Sequence, residues 1–291
     1  MPPASRGRID ECSRVLSGDG FLKKLIIIQA RLGSSRLPRK VMMPLKGNPL
    51  LLRMIQRVTA AKVECDLLVA TTTNPEDEVI RDLCQKFNIS CYSGHPTDLL
   101  DRHYQASLRE KADVVIKIPS DCPLIDPRII DKVVRYYEDH AEQYDYVSNL
   151  HPATYPDGND VEVIPFDILA IAWREATRPL EREHTTPFIW EHPERFRIGN
   201  VLWEAGKNLS MSHRWTIDYP EDYIFIKKIY DHLFTPDSPV FSIYDILELL
   251  KQEPILPFLN AKYAGVNWYR HHLNELKTVT SKETRILLET A

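Results

Sequence analysis

The stretch Gln29-Ala30-Arg31-Leu32-Gly33-Ser34-Ser35-Arg36-Leu37-Pro38-Arg39-Lys40 gathers the densest chemistry in the chain: four cations, a glycine and two serines. Such a set suits a polyphosphate. Guanidinium groups take phosphate oxygens bidentately, hydroxyls and amides donate hydrogen bonds, and Gly33 lets the backbone approach closely. The alternative is a solvated basic turn, the more usual fate of a charge run. Position favours a ligand, because the stretch follows the apolar run Leu25-Ile26-Ile27-Ile28, and open α/β sheets bind ligands in the loops after their strands. It is neither Gly-x-Gly-x-x-Gly nor Gly-x-x-x-x-Gly-Lys-Ser/Thr, so the dinucleotide and P-loop readings lose their fingerprints.

Rigid elements must hold that loop. The Leu25 run is β-branched and short, of the type buried on both faces of a parallel sheet. Helical spacing follows over Leu50 to Val58, then a strand at Leu67-Leu68-Val69-Ala70 that runs into Thr71-Thr72-Thr73-Asn74-Pro75. The pattern predicts a helix over Glu76 to Phe87, a strand at Ser90-Cys91-Tyr92, a helix over Leu99 to Lys111 and a strand over Asp113 to Ile118. Further helices are expected over Pro127 to Glu138, Pro220 to Leu233, Ile243 to Lys251 and near Trp268 to Leu276, with a return strand at Trp215-Thr216-Ile217-Asp218. Strands alternating with helices imply an α/β fold: a Rossmann-like, mostly parallel sheet covered by helices on both faces. Residues 1–22 read as a flexible tail, 23–235 as the main domain with an irregular insertion over about 145–200, and 236–291 as a helical C-terminal extension.

At 291 residues with 43% hydrophobic and 27% charged residues, the chain can bury a full core, which excludes general disorder and a disulfide-stapled miniprotein. Net charge is 37 − 41 = −4, so no bulk field draws nucleic acid or an anionic membrane. The aromatic run from Tyr263 to His272 is therefore expected to pack or to form a dimer contact, and no nucleic-acid partner is expected. Five scattered cysteines without Cys-x-x-Cys fit a reducing cytoplasm, and the opening twenty residues lack the apolar run of a signal peptide or membrane helix.

The Arg31 to Lys40 stretch resembles the Ala-Arg-x-Gly-Ser-x-Arg-Leu-Pro-x-Lys signature of cytidylyltransferases, the family of CMP-sugar-acid synthetases, and within it the SpsF-like branch of spore coat polysaccharide biosynthesis. Further stretches agree in order: Val69 to Thr73, Asp98 to Arg102, Ser120 to Asp126, Tyr155-Pro156-Asp157-Gly158 and Arg214 to Asp222. Arg39 and Ser120 depart from the pattern, each standing where the family usually has glycine. The resemblance implies transfer of CMP from CTP to an acidic sugar of nonulosonate or 3-deoxy-octulosonate type, or a related small anionic acceptor, with release of pyrophosphate.

Such a transfer must offset about four negative charges while an oxygen attacks the α-phosphorus. By resemblance, Arg31 and Lys40 hold the outer phosphates with Arg36 assisting, while Ala30, Leu32, Gly33 and Ser34 cradle the chain. Thr71, Thr72 and Arg102 face the base. Asp121 and Asp218 hold Mg²⁺, which needs only one or two carboxylates beside phosphate and water. Read from the residues alone, both aspartates could instead cap helices, since prolines follow closely. Tyr155, Asp160, Glu162, Arg182, His184 and Arg214 are the acceptor candidates, the last three as cations for an acceptor carboxylate. A homodimer is expected, as related synthetases carry a dimer-forming insertion in the corresponding region. Two other readings stay open: a nucleotide-sugar-dependent glycosyltransferase, for which Ser120-Asp121-Cys122 supplies no Asp-x-Asp motif, and a non-catalytic nucleotide-binding protein.

Overall fold

In the computed structural model, which describes residues 22–287, the Leu25 run lies inside a seven-stranded sheet. In chain order the strands are β1 (Lys24–Gln29), a two-residue hairpin pair β2 (Pro44–Leu45) and β3 (Asn48–Pro49), β4 (Asp66–Thr72), β5 (Ser90–Gly94), β6 (Val114–Pro119), β7 (Tyr146–Ser148), β8 (Glu162–Pro165) and β9 (Ile198–Asn200). The large sheet has the order β5-β4-β1-β6-β8-β7-β9. Pairings β5·β4, β4·β1, β1·β6 and β7·β9 are parallel, and β8 runs antiparallel to both neighbours. The expected α/β architecture is thus present.

The helices are α1 (Leu50–Val58), α2 (Glu78–Lys86), α3 (Leu99–Glu110), α4 (Pro127–Asp139), α5 (Phe166–Glu175), α6 (Pro179–His184), α7 (Pro187–Trp190), α8 (Pro220–Leu233) and α9 (Ile243–Gln252). Alternation along β1 sends Ile26 and Ile28 into one core with α1, α2, α4, α8 and α9, and Leu25 and Ile27 into another with α3, α5, α6 and α7. Both faces of the strand are buried, which is why its sequence is continuously apolar rather than alternating.

Three expectations change. The 145–200 region is not an irregular insertion: it supplies β7, β8 and β9 together with α5, α6 and α7, short pieces that leave little periodicity to read. Trp215 to Asp218 forms no strand. Only an isolated bridge between Asp157 and Arg214 forms there, and the segment is an extended loop leading to α8. The helix expected near Trp268 to Leu276 is a short 3-10 turn over Trp268–His271, so the C-terminal extension is helical mainly through α9. The tail expected over 1–22 lies, apart from Leu22, outside the described residues.

Candidate active site

The cationic loop leaves the carboxyl end of β1 and is folded by its own backbone. Arg39 and Ser34 amides donate to the Leu32 carbonyl at 3.0 and 2.8 Å, and the Leu32 amide donates to Asp77 Oδ1 at 2.7 Å. Arg39 takes φ 61°, the left-handed region that favours glycine, which explains why the related pattern has glycine there. Its side chain is exposed, so the substitution strains the backbone without filling the loop. Ser120 has no left-handed backbone and is buried at the end of β6. Ala30 and Leu32 are buried, Gly33 and Arg31 are exposed, and Arg31 Nη1 reaches the Pro96 carbonyl at 3.4 Å.

Lys40 ties the loop to two distant aspartates. Its ammonium donates to Asp218 Oδ1 at 2.9 Å and to the Ile217 carbonyl at 2.7 Å, and lies 3.7 Å from Asp121 Oδ2. Arg36 Nη2 sits 2.8 Å from Asp218 Oδ2. Burial pushes the Asp218 carboxyl up, but Lys40 and Arg36 outweigh it and hold the group at about 2, so it is ionised at neutral pH. Burial also opposes the Lys40 charge, and Asp121 with Asp218 more than restores it.

Without a strand at 215–218, another device brings Asp218 to Asp121. The Asp121 carbonyl accepts from the Ile217 amide at 3.0 Å and from Thr216 Oγ1 at 2.9 Å. Gly158, at φ 101°, presses against the same segment so closely that a Cβ there would come within 2.7 Å of the Thr216 nitrogen. Neither aspartate caps a helix. Asp126 caps α4 by accepting from the Arg128 amide at 2.9 Å, and Asp222 accepts from the Asp218 and Tyr219 amides at 2.9 and 3.0 Å at the start of α8. Their carboxylates are left to the site.

Thr71, next to last in β4, is buried, and its hydroxyl has no hydrogen-bond partner among the described residues. Gln29 Oε1, at the end of neighbouring β1, is likewise orphaned. Thr72 instead donates to Asp77. Arg102, expected to face the base, is buried, and its guanidinium donates to the His95 carbonyl at 3.0 and 2.7 Å and to the Pro96 carbonyl at 2.9 Å, pinning the β5–α3 loop. Burial, with Arg31 next, pushes it down to about 10.

Three of the acceptor candidates are not available as cations. Arg182 is spent on Asp98, with Nε 2.8 Å from Oδ2, and on the Trp173 carbonyl at 2.7 Å. His184 stacks on Trp268 with ring centroids 3.7 Å apart, and burial pushes it down to about 3, so it is neutral. Arg214 is a buried hub, with Nε 2.9 Å from Asp222 Oδ1 and Nη1 3.4 Å from Asp157 Oδ2. Tyr155 is a core residue whose hydroxyl reaches the Leu202 carbonyl at 3.4 Å. Glu162 binds Lys117 and accepts from the Tyr146 hydroxyl at 2.6 Å. Asp160 is pushed up to about 7 by burial, with Asp121 and Glu162 adding to the effect. Lys117 and Asp77 were not among the expected site residues, and Asp222 was expected only as part of the Arg214 to Asp222 stretch. Lys117 carried a signal as a lone charge within an apolar strand, and Asp222 as an acid in the first turn of a helix that opens on proline.

A family profile described as cytidylyltransferase matches residues 25–256. The chain belongs to the cytidylyltransferase family. Among its relatives, the spore coat polysaccharide biosynthesis protein SpsF of Bacillus subtilis is 31% identical, covering 79% of this chain and 95% of SpsF. The 8-amino-3,8-dideoxy-manno-octulosonate cytidylyltransferase of Shewanella halifaxensis is 30% identical over 57% of this chain and 71% of its own. A solved cytidylyltransferase from Leptospira borgpetersenii superposes with a TM-score of 0.76 at 29% identity, covering 81% of this chain and 97% of its own. This cytidylyltransferase-family chain is a nucleotidyltransferase, and among its described residues no helix is long and apolar enough to cross a membrane.

Proposed function

We propose that the chain transfers CMP from CTP to a small anionic acceptor, of the acidic-sugar type, with release of pyrophosphate, in the synthesis of a surface polysaccharide or glycoconjugate. The observation that carries this is the Lys40 ammonium set between Asp121 and Asp218, with Arg36 on Asp218, at the carboxyl ends of β1 and β6. Cations that converge with carboxylates at one strand edge fit a triphosphate and its counter-ion.

Two carboxylates sharing one cation are a hard, all-oxygen donor set. Among the described residues no three His, Cys, Asp or Glu side chains converge as a cage, so Asp121 and Asp218 fit an ion whose remaining ligands are phosphate oxygens and water. Bound there, Mg²⁺ would supply charge neutralisation at the α-phosphorus and leaving pyrophosphate. The chain does the rest. Arg31, Arg36 and Lys40 offset charge on the outer phosphates, amides around Gly33 and Ser34 orient them, and the orphaned Thr71 hydroxyl and Gln29 carbonyl offer the base its hydrogen bonds. Attack by an acceptor hydroxyl oxygen, which gives up its proton to solvent, forms the new bond to the α-phosphorus as the bond from that phosphorus to the α,β-bridging oxygen breaks, and pyrophosphate leaves carrying that oxygen.

The test is ligand-dependent melting followed by turnover. CTP with Mg²⁺ is expected to raise the melting temperature more than ATP does, because only a ligand of the native state shifts that equilibrium. Acidic sugars screened with CTP should release pyrophosphate. Equal shifts with every triphosphate would remove the cytidine assignment. The homodimer is proposed alongside, and light scattering at micromolar concentration is expected to give twice the chain mass, with a monomer mass overturning it.

A further inference from the structure

The family match ends at residue 256, yet the chain beyond it packs on the site. Val266 carbonyl accepts from Arg214 Nη1 at 2.6 Å, Tyr263 stacks on Tyr219 with centroids 3.7 Å apart, and Trp268 stacks on His184. These contacts bring Arg270, in the 3-10 turn, to the residue that follows Asp218.

Arg270 differs from the other guanidiniums there. Its Nη1 donates to the Asn267 carbonyl at 2.7 Å and its Nη2 faces the Tyr219 hydroxyl at 3.4 Å, both neutral acceptors. No carboxylate among the described residues lies within 4.0 Å of it. By contrast Arg36 is paired with Asp218, and Arg214 with Asp222 and Asp157. The Arg36 and Arg214 guanidinium carbons lie 5.5 and 5.6 Å from the centroid of the Tyr219 ring, the same tyrosine that Arg270 meets through its hydroxyl. Burial holds Arg270 below its ordinary range, and Arg36 and Arg214 push the same way against Tyr219 and Asp218. Three guanidiniums crowded round one tyrosine, one lacking a counter-ion among the described residues, form a place where an anion relieves repulsion.

We propose that Arg270, carried by the segment beyond the family match, is a substrate-binding residue that takes an oxygen of the terminal phosphates beside Arg36. The terminal phosphates are preferred to an acceptor carboxylate because the charged groups around Arg270 include Arg36 and Asp218, which belong to the phosphate loop and its partner. This rests on the nucleotidyltransferase reading of the same site but not on cytidine or on any acceptor.

The experiment is calorimetric titration of the full chain with Mg²⁺ and, separately, CTP, inorganic pyrophosphate and CMP. Arg270→Gln is expected to weaken CTP and pyrophosphate about tenfold while leaving CMP unchanged, the scale of a lost charge-assisted hydrogen bond. Arg270→Lys should recover part of that loss, and Lys282→Gln, an exposed charge in the same extension, should lose nothing. Unchanged CTP and pyrophosphate affinity in Arg270→Gln overturns the proposal, as does an equal loss of CMP or a melting temperature lowered enough to account for the loss. If the starting protein binds pyrophosphate but not CTP, the cytidylyl reading fails, and the pyrophosphate arm still decides Arg270.

Discussion

At the scale of single residues, the site divides into groups that hold charge for a ligand and groups whose charge is already spent. Lys40, Arg36, Asp121 and Asp218 form one mutually compensated set that opens towards the loop, whereas Arg102, Arg182 and Arg214 are consumed by carbonyls and carboxylates. The two aspartates should therefore respond differently to amidation. Asp121→Asn and Asp218→Asn are each expected to abolish pyrophosphate release from CTP, since an amide keeps the shape but not the charge. Asp121 lies 3.7 Å from Lys40 and is partly exposed, so its variant should keep near-normal stability in urea. Asp218 is the closer partner of two cations, and its variant should lose about 1–3 kcal/mol, because a mostly buried ammonium is left under-compensated. Wild-type turnover in either variant at low Mg²⁺ would remove that residue from the metal assignment. The Arg31 to Lys40 loop was legible because a cluster of cations with a glycine follows an apolar strand, whereas Asp218, expected at a strand end, lies in an extended loop. What Arg102, Arg182 and His184 touch was not legible, since a guanidinium or imidazole reads alike in sequence whether it faces a ligand or a buried carbonyl.

Elements with strong apolar runs were legible throughout: β1, β4 and β6, and the amphipathic helices α1, α3, α4 and α8, the last three of which open on a capping side chain or a proline. The 145–200 region was not, because strands of three or four residues offer no period and their pairing with β6 and with each other is decided by long-range register. The 215–218 segment misleads for the same reason. Its hydrophobic residues Trp215 and Ile217 are buried, but its backbone bonds go to the Asp121 and Asp157 carbonyls rather than to a ladder. Gly158 is the point on which this arrangement turns. Gly158→Ala must place a methyl carbon 2.7 Å from backbone atoms while holding φ near 101°, two penalties that together should exceed about 2 kcal/mol. We expect a lower urea midpoint and a turnover loss that saturating CTP does not restore, since displacement of 215–217 withdraws Asp218 from Asp121. A variant with unchanged midpoint and turnover would show that the segment is positioned by something else.

Over the whole molecule, burial of titratable rings sets how stability follows pH. His103, His151 and His184 are pushed by burial to about 3, about 4 and about 3, so each stays neutral in the fold where an unfolded chain would take up a proton. A folded pKa below the unfolded value of about 6.5 gives a contribution that is complete above pH 6.5 and is lost as pH falls towards 4 to 3, by up to about 1.4 kcal/mol per pH unit for each ring. Asp160 works in the opposite direction: raised to about 7, it favours the fold at low pH and loses that contribution as pH rises from about 4 through 7. Asp157, which burial also raises well above its ordinary value, acts in the same direction as Asp160, so three rings against two carboxyls leave a net slope of about one proton, and stability should climb from pH 4 to pH 6.5 and then stop rising. Asp218, held at about 2, adds its own loss only below about pH 4. Urea midpoints taken at half-unit steps from pH 4 to pH 8 measure the slope directly. His184→Gln should make it shallower by about one proton, because the amide can still lie against Trp268 but cannot be protonated. A profile flat below pH 6.5, or one that His184→Gln leaves unchanged, would mean that these rings are protonated in the fold and that burial does not govern them.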